Sequence, residues 1–166
     1  LVVDEPTSLT QDINMVSSSY SGFNISCKGE NDGWIEAQVS GGYLPYSFYW
    51  STGYQGYDAD SLTNLVAGLY SCEITDGIGC KIMNSIVLIE PQDSLIVSAS
   101  VTTNYNGYDV SCYSSADGAI DLDIIGGTGI YTYNWSDFSL SSDSAIGVSS
   151  GIYGVVVYDS NGCFDE

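Results

Sequence analysis

At 166 residues the chain has room for one medium domain or two small ones, and 21 acidic against 2 basic side chains give it a formal net charge of −19. A surface of that sign repels phosphate backbones and anionic membrane faces alike, which sets aside nucleic acid and direct membrane insertion as partners. With no histidine the chain cannot build a Ser-His-Asp triad or a His-ligated catalytic zinc, and its carboxylates fall mostly in turns, so the expectation is no enzyme and no cofactor.

Taken in chain order, the predicted elements are short strands separated by turns. Leu1-Val2-Val3 opens with a strand-like apolar run, and Tyr20-Ser21-Gly22 and Asn31-Asp32-Gly33 are turn signals. Ile35, Ala37 and Val39 then share one face opposite Glu36 and Gln38, the period-2 alternation of a half-buried strand. Gly41-Gly42 ends that strand, Trp50 follows as a core candidate, and Tyr70, Cys72 and Ile74 alternate again. The second half repeats the alternation at Tyr131, Tyr133 and Trp135 and at Tyr153, Val155 and Val157, before the turn Asp159-Ser160-Asn161-Gly162. About seven such strands in ~85 residues, with no helical periodicity, predict an all-β fold of tandem immunoglobulin-like β-sandwich modules centred on Trp50 and Trp135.

The halves are copies of each other. Cys27 and Cys112 stand 85 residues apart, and the same offset carries Glu5-Pro6 onto Glu90-Pro91, Asp32-Gly33 onto Asp117-Gly118, Gly41-Gly42 onto Gly126-Gly127 and Trp50-Ser51 onto Trp135-Ser136. At an offset of 83, Tyr70 meets Tyr153, Asp76 meets Asp159 and Gly79-Cys80 meets Gly162-Cys163. The phase predicts three pieces: residues 1–6 as the last strand of a preceding module, 7–91 as a complete repeat, and 92–166 as a second repeat lacking its final strand. Leu1, Val2 and Val3 match the absent strand, which makes them the candidate donor in any strand exchange between chains.

Five cysteines in this setting point to disulfides and an oxidising compartment. The repeat suggests the pairs Cys27–Cys80 and Cys112–Cys163. Cys72 is left over, at a position where the second copy has Val155, and is expected to be a buried free thiol.

The first copy reads ISCKGENDGWIEAQVSGGYLPYSFYWSTG and LVAGLYSCEITDGIGC, and the second reads VSCYSSADGAIDLDIIGGTGIYTYNWS and SSGIYGVVVYDSNGC. This order of Cys, Asp-Gly, Gly-Gly, Pro-Tyr, Trp, Gly-x-Tyr and Asp-x-x-Gly-Cys closely resembles the SprB repeat of Bacteroidetes surface proteins, over nearly the whole chain. The second copy departs by carrying Ile130 where the first has Pro45. The resemblance implies an adhesin-like protein related to gliding-motility adhesins, secreted by the type IX route and displayed on the cell exterior.

Several residues are candidate sites. Glu30, Asp32, Asp76, Asp117 and Asp159 are weak candidates for Ca²⁺, which takes carboxylate and carbonyl oxygens, although Asp before Gly also satisfies a turn on its own. Trp34, Tyr49, Tyr54 and Tyr57 break the inward pattern, as a surface for sugar rings or a neighbouring chain would. Ser61, Ser94 and Ser144 follow Asp and precede an aliphatic residue, similar to the O-glycosylation motif used by Bacteroidetes. The leading expectation is a structural and adhesive repeat of an extracellular stalk or filament, whose partners are neighbouring repeats, copies of itself or surface glycans. Two alternatives are a self-assembling subunit using donor-strand complementation and a carbohydrate-binding accessory module of a secreted enzyme.

Overall fold

The computed structural model describes residues 1–5, 8–9, 14–137 and 139–166. Pro6, half of the Glu5-Pro6 match, lies outside the described residues. The described chain is all-β and divides into two compact units, Leu1–Glu90 and Pro91–Glu166.

The first unit contains β1 (Asn14–Ser17), β2 (Gly33–Gln38), β3 (Ser47–Trp50), β4 (Gln55–Gly56), β5 (Ser61–Leu65), β6 (Gly68–Thr75) and β7 (Lys81–Leu88). They form two antiparallel sheets, ordered β1-β2-β5 and β4-β3-β6-β7. Placing the first, second and fifth strands in one sheet and the third, sixth and seventh in the other is the immunoglobulin-like sandwich arrangement. The alternation in the sequence becomes the alternation of burial. Ile35 and Ala37 of β2, Phe48 and Trp50 of β3, and Tyr70, Cys72 and Ile74 of β6 all face one core. Trp50 is fully buried, and its indole Nε1–H donates to the Ala59 carbonyl at 2.6 Å. A buried indole needs such an acceptor, or its N–H would be desolvated without compensation.

The second unit contains β8 (Ile96–Val101), β9 (Ala116–Ile125), β10 (Thr132–Trp135), β11 (Ser144–Ser149), β12 (Val155–Tyr158) and β13 (Phe164–Asp165), in sheets ordered β11-β9-β8 and β10-β12-β13. By the repeat offsets, β8, β9, β10, β11 and β12 stand for β1, β2, β3, β5 and β6, while β13 is the start of a counterpart to β7.

The repeat extends to single hydrogen bonds. Trp135 Nε1 donates to the Ser142 carbonyl at 2.9 Å, as Trp50 does to Ala59. The Tyr70 hydroxyl donates to Val66 O at 2.9 Å and the Tyr153 hydroxyl to Ser149 O at 3.0 Å. The Gly-Gly pairs are equally constrained. Gly42 and Gly127 have φ of +66° and +68°, and an added Cβ would lie 2.8 Å and 2.9 Å from the Oδ2 of Asp76 and Asp159. Only glycine allows both the left-handed backbone and that approach. The turn that follows differs between copies: Pro45 follows a cis peptide bond, whereas its counterpart Ile130 has φ +52°.

Candidate functional site

Two features of each sandwich bear on function: the edge that β7 closes, and the two poles where the cysteines lie.

In the first unit, β7 pairs with β6 along its whole length, from Gly68↔Leu88 to Thr75↔Lys81. Leu88 is buried, and an added Cβ on Gly33 would meet Ile25 Cδ1 at 2.5 Å, Leu65 O at 2.8 Å and Leu88 Cδ1 at 3.1 Å. The backbone beyond β7 stays fastened. Ile89 O accepts from the amides of Asn24 (2.8 Å) and Ile25 (3.1 Å), and Ile89 N donates to Asn24 Oδ1 at 2.9 Å. Glu90 then takes Lys28 Nζ at 2.7 Å and Gly29 N at 2.8 Å. The Lys28 ammonium and the Gly29 amide hold the Glu90 carboxyl below its usual value.

In the second unit, β12 is paired by β13 at two positions only, Val157↔Asp165 and Tyr158↔Phe164. Around Gly118, the counterpart of Gly33, an added Cβ would meet Val148 O at 2.9 Å and Val110 Cγ1 at 3.3 Å, from the counterparts of Leu65 and Ile25. A cleft of about 390 Å³ opens there, lined by Val101, Tyr108, Val110, Gly118, Val148 and Tyr153 among others. It continues into a second hollow beside Ser111, Cys112 and Tyr113. Leu1, Val2 and Val3, the candidate donors, are exposed and lie outside any strand.

The cysteines require a correction. Cys80 and Cys112 are exposed free thiols, so the expected pairs Cys27–Cys80 and Cys112–Cys163 are not formed. Cys27 is disulfide-bonded, and so is Cys163. The reason lies in strand direction. Cys27 follows Ile25, which is bonded to Ile89 beyond the end of β7, whereas Cys80 immediately precedes the start of β7. Eight residues of strand place those ends roughly 27 Å apart, and a disulfide tolerates a Cα separation of only about 7 Å. The second unit has the same layout. Cys112 accepts from Ser115 N just before β9, while Cys163 is bonded to Asp159, whose Oδ2 accepts from Thr128 N just past the end of β9. Each sandwich therefore carries one of these cysteines at each pole. Cys72 is a buried free thiol, and burial pushes it up to about 11, which leaves it unreactive at neutral pH.

The acidic candidates are spread out. Asp76 Oδ1 accepts from Ile78 N and Cys80 N and its Oδ2 from Tyr43 N; Asp159 Oδ1 accepts from Asn161 N and Cys163 N and its Oδ2 from Thr128 N. Burial alone raises the Asp76 carboxyl, but the amides of Tyr43, Cys80, Ile78 and Gly79 outweigh it and hold the group below its usual value. Asp32 accepts from Ser26 N and Asp117 from Ser111 N. These carboxylates face amide hydrogens, an arrangement that closes turns and opposes a cation. Glu30 stands on the exposed surface. Among the described residues no group of three or more Asp, Glu, His or Cys gathers in a way that could hold a metal ion.

The aromatic candidates do not form one strip. Trp34 lies on the outer face of the β1-β2-β5 sheet, opposite Ile35, while Tyr49 and Tyr57 share a hollow of about 320 Å³ at β3 and β4 in the other sheet. Tyr54 is exposed and accepts from Trp50 N through its carbonyl. Of the glycosylation candidates, Ser61 and Ser94 are exposed and Ser144 is half-buried on β11.

Among curated proteins, none matches the chain. A family model does: the SprB repeat matches residues 23–54, spanning β2 and β3, and again residues 104–139, spanning β9 and β10. The matched segments contain Asp32 and Asp117 at the entry to the second strand, the Gly-Gly pairs, and the buried Trp50 and Trp135. Two segments of the chain, one in each unit, are thus similar to the SprB repeat, a kind of segment found in cell-surface proteins.

Proposed function

We propose that this chain is a structural, adhesive segment of a secreted stalk or filament on the outside of a bacterial cell, and that it performs no catalysis. The observation that carries this reading is the duplication of the sandwich plan, down to the Trp50/Trp135 and Asp76/Asp159 hydrogen bonds, with a segment similar to the SprB repeat in each copy. Duplicating a fold adds length and surface. The net charge of −19 keeps neighbouring stalks apart by mutual repulsion. Surface glycans are the proposed contacts of the Tyr49–Tyr57 hollow, since exposed aromatic rings stack on sugar faces.

Antibodies raised against the chain test the location. Labelling of intact cells, removed by brief external protease, is the expected result; labelling only after permeabilisation overturns it. Beads coated with the chain test adhesion, and a glycan array tests sugar contact, where a blank array removes the glycan assignment.

A second reading, donor-strand complementation, is favoured by the cleft at Gly118. A strand entering beside β12 with an apolar side chain at the Leu88 position and Glu at the Glu90 position would rebuild in the second unit what β7 does in the first. In a subunit assembly the donor would be Leu1, Val2 and Val3 of another copy. A chain that stays monomeric at high concentration, and stays so after residues 1–5 are removed, argues against it.

A further inference from the structure

We infer that the exposed thiols Cys80 and Cys112 form disulfides between modules, the Cys112 pole of one module bonding the Cys80 pole of another copy. The inference rests on the reading of these modules as strung in series, and it adds the covalent link between successive modules.

Three observations carry it. Within a sandwich the two poles are separated by the length of a strand, about 27 Å for β7, so neither thiol can reach its own module's other pole. Both thiols are nonetheless exposed. And both positions are ones at which this module makes disulfides, because their repeat counterparts, Cys27 for Cys112 and Cys163 for Cys80, are disulfide-bonded.

The surroundings of the two thiols are complementary rather than alike. Cys80 sits in the rigid turn held by Asp76, with its amide bonded to Asp76 Oδ1 at 2.8 Å and its carbonyl accepting from Asp76 N at 2.9 Å. Cys112 lines the hollow beside the open edge, with Tyr108, Val110 and Tyr113. An exposed thiol fixed in a tight turn at one pole and an exposed one beside a hollow at the other favour a head-to-tail contact, which propagates as an open filament instead of closing as a symmetric dimer. Cys72 takes no part, since it is buried and its thiol is pushed up to about 11.

The bond forms by exchange with a low-molecular-mass disulfide such as oxidised glutathione. The Cys112 thiolate attacks one glutathione sulfur and expels the other as a thiolate, giving a mixed disulfide. The Cys80 thiolate of a second copy then attacks the Cys112 sulfur and expels the remaining glutathione. Two protein thiols lose two electrons and two protons, and one glutathione disulfide becomes two thiols.

The test uses the whole chain, incubated with a mixture of oxidised and reduced glutathione and then run on a non-reducing gel, with the bridged peptides identified by mass spectrometry. The expected result is a ladder of dimers, trimers and longer species, abolished by reductant, in which the Cys80–Cys112 peptide pair predominates. C80S and C112S should each stay monomeric alone and give dimers only when mixed with one another, and the double variant should stay monomeric. Near-ultraviolet circular dichroism matching the unsubstituted chain shows that the variants are folded. A chain that stays monomeric with both thiols titratable overturns the inference, as does a predominance of Cys80–Cys80 or Cys112–Cys112 bridges. Either failure leaves the stalk reading standing, because that is judged by labelling of intact cells.

Discussion

The two units share one sandwich plan and differ along one edge. In the first, β7 covers β6, Leu88 fills the gap in front of Gly33, and Ile25 is wholly buried. In the second, the counterpart Val110 is half-buried, Tyr153 is more exposed than Tyr70, and a cleft of about 390 Å³ lies beside Gly118, the counterpart of Gly33. What stays unchanged is as telling. The buried tryptophan, the Asp-capped turn and the Gly-Gly pair are in place in both units. The features common to the two therefore lie on β2, β3, β6, their counterparts and their turns. The two segments matched by the SprB model fall on the second and third strands of each unit, within the invariant part.

The largest expected effect probes that invariant part. Trp50→Ala should destabilise the first unit by about 4 kcal/mol, through lost burial and the cavity left behind. Trp135→Ala should cost the second unit less, because its core is already open along one edge and relaxes more easily. Urea unfolding of both variants measures the difference. Equal losses would mean that the cleft does not soften the second core.

Next is Leu88→Ala, which should cost the first unit about 3 kcal/mol by carving in it the cleft that the second already has. The converse experiment adds a synthetic peptide of residues 85–91 to the chain. If the cleft is the seat of a seventh strand, the peptide should raise the unfolding midpoint of the second unit, and the same peptide with Leu88→Asp should not. A midpoint unmoved by either peptide would break the equivalence between the two edges.

How much of this was legible in the sequence follows from what a repeat can and cannot encode. Alternation marked Ile35, Ala37, Tyr70 and Ile74 as inward and Trp50 as central, because burial follows the period of the strand. Alternation also marked Trp34 and Tyr49 as outward, but it carries no information on which sheet a strand joins, and so it could not separate the two faces. The cysteines show the same limit more sharply. Matching Cys27 to Cys112 and Cys80 to Cys163 establishes which positions are equivalent. Pairing them needs the direction of β7, and that direction puts Cys27 and Cys80 at opposite poles. The Asp76 turn was visible as a turn, whereas its reach to Tyr43 N, 33 residues away in the chain, is a product of the fold.

A smaller effect distinguishes the turns by pH. The Asp76 carboxyl is held below its ordinary value by surrounding amides, so the folded first unit favours the ionised form. That contribution is fully present above the unfolded-state value of about 3.9, and it is lost as pH falls through the lower folded value. Acid should therefore destabilise the first unit progressively below about pH 4. Asp76→Asn should be less stable at neutral pH and flatter toward acid. An acid profile identical to that of the unsubstituted chain would show that the Asp76 cage contributes nothing pH-dependent.

The smallest effect concerns the one cysteine that belongs to no pole. Cys72 lies on β6 paired with Trp50, and its counterpart Val155 lies on β12 paired with Trp135. Both side chains are close in volume, and the Cys72 thiol is fully buried. Cys72→Val should thus change stability by less than about 1 kcal/mol, as a volume-conserving core exchange does. The same variant separates the thiols by reactivity. The native chain should expose two thiols to a disulfide reagent, Cys80 and Cys112, and a third only on unfolding. Cys72→Val should remove the third and leave the first two unchanged. A large loss of stability would mean that the thiol makes an interaction a valine cannot replace, and the two tryptophan environments would then differ in chemistry as well as in burial.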